Sequence, residues 1–237
     1  MALRAAAALV TVTLFHAAPA LAAPVPLGPS AVGDHTTKAA RPDPQAPDTF
    51  VVLLGTDNNI RPGIGGTIGI ECIREWAPLG VDRFYAALND GFYDESAFFR
   101  VVPDFVLQFG IAGTPEMNDR WQTTIPDDPV TQSNLAGTVV FATAGPNTRT
   151  TQLFINYIDN PFLDAQGFAP IGRVIRGFEV AEAVFNPTPG DQGGVSQAQY
   201  RANGISWIRE NFPGINSIID HNFEERPAAA AKVEGAL

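Results

Sequence analysis

At 237 residues, 45% hydrophobic and 17% charged, the chain has the size and composition of one globular domain with extensions. A net charge of −10 and an isoelectric point near 4.6 exclude nucleic acid as a partner, because neutralising phosphates requires clustered Lys and Arg. The single cysteine, Cys72, excludes an internal disulfide, and histidines only at 16, 35 and 221 leave the body of the chain without a zinc ligand set or a hydrolytic triad.

Residues 1–22 form a secretory leader: Arg4 precedes an apolar stretch over 5–15, and Ala20, Leu21 and Ala22 make a small-residue cleavage site. His16 and Pro19 break the run before it could span a bilayer. Its removal implies a secretory-pathway protein, secreted or lumenal (periplasmic if bacterial), with no membrane attachment afterwards. Residues 23–48, rich in Pro, Ala and Gly and lacking a hydrophobic period, read as a disordered spacer.

A first strand is predicted over 49–54 and a second over 67–73, where Ile68, Ile70 and Cys72 alternate onto one face and make Cys72 a packed core thiol. The loop TDNNIRPGIGG between them has turn glycines without the Lys and helix of a phosphate cradle. Pro78 begins a helix in which Val81, Phe84, Tyr85 and Leu88 fall at i, i+3, i+4 and i+7, and Gly91 ends it. Further strands are predicted over 97–102, 106–110, 137–143, 152–156 and 171–174, with a second helix over 177–185. Asp127 and Asp128, flanked by prolines, read as a solvated turn. A third helix over 196–211 stops at Pro213-Gly214, a last strand over 215–223 closes the sheet, and 227–237 is a flexible tail. The pattern predicts a mainly β fold over 49–226: a closed antiparallel β-barrel of about eight strands capped by two helices, with an additional C-terminal helix.

Three residue types stand out within the apolar strands. Arg100 follows Phe98-Phe99 and precedes Val101-Val102, so a permanent cation projects from a hydrophobic strand; a salt bridge at the barrel rim is the competing reading. Gln108 and Gln152 carry amides that are costly to bury unpaired, so they either satisfy internal carbonyls or face a groove. Phe105, Phe154, Phe162 and Leu163 are either plain core or the walls of an apolar slot. Together they suit a shallow pocket that hydrogen-bonds a neutral backbone without a nucleophile, a metal or a cofactor.

Three ordered blocks, FYDESAFFRVVPDFVLQFG from Phe92, NLAGTVVFATAGPNTRTTQLFI from Asn134 and FLDAQGFAPIGRVIRGFEV from Phe162, resemble the cyclophilin family of peptidyl-prolyl isomerases over 49–185. The resemblance implies that Arg100 is the catalytic arginine, Phe105 the floor of the proline pocket and Gln108 the amide that bonds the substrate backbone. It also implies groove positions for Ala142 and Thr143, wall positions for Gln152, Phe154, Phe162 and Leu163, and an approximate one for Phe168. Phe99 stands where the family has His, Val106 for a methionine, Thr143 for Asn and Phe162 for Trp. The loop AQGFAPIG is one residue longer than the common form and lacks its His. The chain is similar to a divergent subgroup with an FFRVVP-type motif, in which the helix over 196–211 is expected.

The implied activity is cis/trans isomerisation of X-Pro bonds in proline-containing polypeptide clients, assisting folding in the secretory pathway. The implied enzyme is a monomer without cofactor. Cyclosporin-type cyclic peptides are expected to bind with reduced affinity, because Phe162 has no indole N–H. The loss of polar residues around the slot leaves a second class open, a proline-peptide binding module or holdase chaperone with weak or no turnover.

Overall fold

A computed structural model describes residues 43–57 and 66–224. One eight-stranded antiparallel sheet runs in the order β3-β4-β6-β5-β7-β2-β1-β8. β1 (Thr49–Thr56) alternates, with Phe50, Val52, Leu54 and Thr56 turned inward, and pairs along its length with β2 (Thr67–Ile73), Val52 lying opposite Ile70. β7 (Pro170–Arg176) continues from β2, and β5 (Thr138–Phe141), β6 (Leu153–Asn156), β4 (Val106–Phe109) and β3 (Arg100–Val102) follow in space. Cys72 is fully buried in the core, and burial raises the thiol pKa well above its usual value.

The sheet has two end strands, β3 and β8 (Ile218–Glu224), and curls until the residues just before them meet. Ala97 and Ser217 form a single antiparallel bridge, with Phe98 N–H donating to Asn216 and Ile218 N–H to Ser96. The eight-stranded barrel is therefore present in a looser form, closed by one bridge instead of a full strand pair.

The helix α1 (Pro78–Asn89) lays Val81, Phe84 and Leu88 into the core. Its N-cap residue, Ala77, has no side chain to satisfy the first amides. Asp128 supplies that missing acceptor, taking hydrogen bonds from the N–H groups of Leu79 (3.0 Å) and Gly80 (2.8 Å). Its other role is to pair with the buried guanidinium of Arg149 at 3.0 Å, while Asp127 approaches the same Arg149 at 3.4 Å. The solvated turn expected at Asp127-Asp128 is thus corrected for Asp128, which is buried because a desolvated arginine requires a counter-charge.

The spacer expected through residue 48 is corrected at its end. Asp43 accepts from Arg83 Nε at 2.6 Å, and the buried Ala46 donates its N–H to Asp82 at 2.9 Å, so the approach to β1 is fastened to α1. The expected leader over 1–22 and tail over 227–237 lie outside the described residues.

Two short elements had no hydrophobic period to announce them: α2 (Pro115–Arg120), capped by Thr114 with Pro at its first turn, and a 3₁₀ helix, Pro161–Gln166. α3 (Phe178–Glu182) is shorter than expected. α4 (Gln197–Asn211) is kinked at Gly204, whose φ of 72° lets Ile205 N–H bond Gly113 O at 2.7 Å; a Cβ there would sit 2.5 Å from that oxygen. Among the described residues no helix is long and apolar enough to cross a membrane.

The buried Asp128–Arg149 pair generates a stability prediction. Asp128→Ala leaves Arg149 desolvated with only the longer Asp127 contact and uncaps α1, so the protein should lose about 3 kcal/mol or more of unfolding free energy. Chemical denaturation checks this, and a loss below about 1 kcal/mol would contradict the structural role assigned to the pair.

Candidate functional site

The strand register places the candidate residues in one transverse row. Arg100 on β3 is opposite Gln108 on β4, Gln108 is opposite Phe154 on β6, and Phe154 is opposite Val140 on β5. Side chains alternate across a sheet, so the intervening residues take the other face. Leu107, Phe109, Val139, Phe141, Leu153 and Ile155 fill the main core, while Val106, Val140 and Phe154 join Leu163 in a separate apolar cluster on the outer face.

That outer cluster gathers the residues expected to wall the slot. Phe105, Ala142 and Phe168 pack against Val106, Val140, Phe154 and Leu163. Phe168 meets Phe154 edge-on at 5.7 Å between ring centroids, so the altered loop still contributes an aromatic wall. Phe162, 52% exposed, stacks on Phe105 at 6.1 Å with 17° between the planes and stands at the mouth of the slot. Aromatic rings gathered on this outer face, one of them half in solvent, form an apolar surface suited to an apolar ring of a ligand.

A polar chain runs along the edge of the slot. Arg100 Nη1 donates to Gln108 Oε1 at 3.1 Å, Gln108 Nε2 donates to Gln152 Oε1 at 2.7 Å, and Gln152 Nε2 donates to Gln197 Oε1 at 2.9 Å. The amides are therefore satisfied by one another, by the cation and by Gln197, and not by internal carbonyls. Arg100 Nε donates to the carbonyl of Gln192 at 2.5 Å. No carboxylate lies within ion-pair distance of Arg100 among the described residues. Burial lowers the Arg100 pKa from its usual value and the Asp191 carboxylate pulls it back up, which leaves a guanidinium that is cationic at any physiological pH.

Ala142 and Thr143 lie beside the slot in different ways. Ala142 is half-buried, packs on the apolar cluster and gives its N–H to Gln152 O at 2.9 Å. The Thr143 hydroxyl is turned into its own loop, sharing a hydrogen bond with Thr148 at 2.8 Å and accepting from Gly145 N–H at 3.1 Å. Phe99, in the position where a family His was expected, is fully buried against Tyr200 of α4 and takes no part in the slot.

The 3₁₀ helix that presents Phe162 and Leu163 is held from below by residues that the sequence did not single out. Asp164 accepts from Ser133 Oγ (2.5 Å), Asn134 N–H (2.9 Å) and Asn134 Nδ2 (2.7 Å), and Asn134 Nδ2 also donates to Phe168 O at 2.8 Å. Asn160 Nδ2 bonds Asn156 Oδ1 and Phe105 O, tying the same turn to β6 and to the residue just before β4. A cluster of Ser and Asn before a strand is an available signal, but it does not say which carboxylate it serves. Gln192 and Gln197 left no signal, since glutamines in a polar loop or at the first turn of a helix are ordinary. Among the described residues no group of three or more His, Cys, Asp and Glu could hold a metal ion. His221 is tied to Asp94 at 2.7 Å and edge-on to Phe223, so it belongs to the β8 side of the sheet.

Several known proteins resemble this chain. Residues 58–201 match the family model for the cyclophilin type peptidyl-prolyl cis-trans isomerase. A peptidyl-prolyl cis-trans isomerase of Schizosaccharomyces pombe is 37% identical over 123 residues, which are 49% of this chain and 77% of that protein. Another, from Acinetobacter baylyi, is 33% identical over 51% of this chain and 68% of its own length. A crystal structure of a cyclophilin type isomerase from Cryptosporidium parvum superposes with a TM-score of 0.56 at 20% identity, over 76% of this chain and 99% of that one, and so agrees in fold.

Acid should loosen the slot wall through Asp164. Partial burial raises its pKa, but the hydrogen bonds from Ser133 and Asn134 outweigh that and hold it below the ordinary carboxylate value. A depressed folded-state pKa means that its stabilisation is fully present above the unfolded value of about 4 and is lost as pH falls through the folded one. Asp164→Asn brings an amide donor against the Asn134 donors, so wild type should exceed the variant in stability by a constant margin above about pH 5. Unfolding measured from pH 7 to 2 should show that margin shrinking below pH 4; a margin independent of pH would remove Asp164 from this role.

Proposed function

The chain belongs to the cyclophilin-type peptidyl-prolyl cis-trans isomerase family, and from that premise we propose that it isomerises X-Pro bonds of proline-containing polypeptides, with Arg100 as its catalytic residue. The observation that carries the proposal is the Arg100 guanidinium held beside the apolar cluster through Gln108, with no carboxylate within ion-pair distance among the described residues.

The chemistry needs little else. Amide resonance gives an X-Pro bond a rotational barrier of about 18–20 kcal/mol. Twisting localises the lone pair on the prolyl nitrogen, and a donor that reaches this nitrogen, or the carbonyl of the twisted form, binds the transition state better than either planar isomer. The slot of Phe105, Val106, Phe154, Leu163 and Phe168 would take the pyrrolidine ring. Gln108, Gln152 and the exposed backbone beside Ala142 and Thr143 would hold the flanking chain. Of the five N–H donors on Arg100, Nε and one on Nη1 are engaged within the protein, so the remaining three serve the substrate. No proton is transferred and no bond is broken, which agrees with a site without a histidine.

We assign the activity to the secretory pathway on the strength of the leader over 1–22, where slow proline isomerisation limits the folding of clients. A relative from Cryptosporidium parvum was crystallised in the presence of the dipeptide Ala-Pro, and an Ala-Pro peptide is the natural first substrate here. The engagement of Arg100 Nε by Gln192 favours one alternative, a proline-peptide binding module whose cation is held back from the twisted amide.

Substitution of Arg100 separates the two. Charge-assisted hydrogen bonds contribute roughly 1.5–3 kcal/mol, so Arg100→Ala should slow isomerisation of an Ala-Pro peptide by about 10- to 150-fold. Peptide affinity should change far less, because the slot and the glutamines still bind the ground state. Unchanged turnover in the folded variant would end the catalytic assignment.

Cyclosporin-type cyclic peptides should bind the same slot weakly. Phe162 stacks on Phe105 but offers no donor, and one missing hydrogen bond costs on the order of 1 kcal/mol. Phe162→Trp should therefore tighten binding by about fivefold in a competition assay; equal affinity for both forms would show that position 162 makes no polar contact with the ligand.

A further inference from the structure

The polypeptide between α3 and α4 reaches the site from outside the sheet. Val195 N–H bonds Phe99 O at 3.1 Å, so this segment lies along the free edge of β3. Gly194 packs directly on Arg100: a Cβ on it would lie 2.7 Å from the Arg100 Cβ and 2.8 Å from Phe99 O, and its φ of 75° favours glycine as well. Gln192 then offers its carbonyl to Arg100 Nε, and Gln197, the first residue of α4, offers its side-chain oxygen to Gln152. Tyr200 anchors the far side, its hydroxyl accepting from Ala97 N–H at 2.9 Å and donating to Ile111 O at 3.1 Å.

We infer that residues 191–197 form a positioning strap for Arg100, with Gln192 and Gln197 fixing the guanidinium and the two groove amides from outside the slot; the inference rests on the isomerase reading above. The direction of the polar chain carries the argument. Arginine can only donate, so Gln108 must turn its oxygen to Arg100 and its NH₂ to Gln152. Gln152 must then turn its oxygen to Gln108 and its NH₂ onward, and the chain needs an acceptor at its far end. Gln197 is that acceptor. Without it, Gln152 can reverse its amide, which sets NH₂ against NH₂ at Gln108 and loosens Arg100. The carbonyl of Gln192 restrains the other side of the guanidinium, so Arg100 is held at two donors and its remaining donors are preorganised. Gln192 and Gln197 are positioning residues, since both act through Arg100 and Gln152.

The polarity of the chain gives the test its discriminating variants. Gln197→Lys replaces the terminal acceptor with a donor, Gln197→Glu keeps an acceptor, and Gly194→Ala pushes the strap away from Arg100. The full-length protein is followed by NMR of the Arg100 Nε–H, by isomerisation and affinity measured on one Ala-Pro peptide, and by thermal melting. The Nε–H should exchange slowly with solvent in the wild type and faster in Gln197→Lys and Gly194→Ala. Turnover in those two should fall by about threefold to tenfold, the effect of one neutral hydrogen bond. Peptide Kd should stay nearly constant in both; melting temperature should hold in Gln197→Lys and drop in Gly194→Ala, where a Cβ at positive φ is strained, and Gln197→Glu should rescue both exchange and turnover relative to Gln197→Lys. Exchange and turnover unchanged in Gln197→Lys, or turnover falling there only in step with melting temperature, would overturn the strap. A wild type with a protected Nε–H and no turnover would instead leave the strap standing and refute the isomerase reading.

Discussion

The site depends on the register of four short strands. Arg100, Gln108, Phe154 and Val140 are direct cross-strand neighbours on β3, β4, β6 and β5, and every other feature of the groove is referred to that row. Because side chains alternate along a strand, a slip of one residue between β4 and β6 would turn Gln108 toward the core and Leu107 toward the groove. The register is held by the opposite face, where Leu107, Phe109, Leu153 and Ile155 are fully buried in the main core. Core packing on one side of the sheet thus positions chemistry on the other, and the groove needs little stabilisation of its own. The 3₁₀ helix adds the one wall that the sheet cannot provide, and Asp164, Asn134 and Asn160 bind that wall back to the strands.

The strand that carries the cation is also an edge. β3 pairs only with β4, and an unprotected edge offers unpaired backbone groups to other chains. The polypeptide leading into α4 covers it, and a second apolar cluster of Phe99, Ile111, Val195, Tyr200, Ile205 and Ile208 forms beneath. This packing accounts for Phe99 physically. A histidine at that position would be enclosed among hydrophobic side chains and without a polar partner, whereas a phenylalanine packs edge-on against Tyr200. Phe99 is in this sense part of the packing of α4.

Much of the fold was legible because its elements follow simple periods. β1 and β2 alternate, α1 spaces Val81, Phe84 and Leu88 on one face, and Pro and Gly mark its ends. The strands at the site were harder to interpret, since β4, β5 and β6 are buried on both faces and show no alternation. That same two-sided burial is why Phe154 could not be told from core by periodicity, and only the resemblance suggested a wall role for it. α2 and the 3₁₀ helix are too short to show a period, although Thr114-Pro115-Glu116 is an adequate helix-start signature. Asp128, Asp43, Gln192 and Gln197 were beyond local reasoning. Each acts on a partner between 21 and 92 residues away, and nothing in the surrounding residues names that partner.

The central claim is that the slot does more than hold a proline: it lowers the barrier between its two isomers. Exchange NMR on an Ala-Pro peptide with catalytic amounts of the wild-type protein tests this most directly, because it reports cis/trans interconversion of bound and free peptide without a coupled reaction. The account predicts exchange cross-peaks between the cis and trans resonances that grow with protein concentration, far above the uncatalysed interconversion over tens of seconds or more. Peptide resonances that shift on titration, and so report binding, while the isomers exchange no faster than in buffer would contradict it.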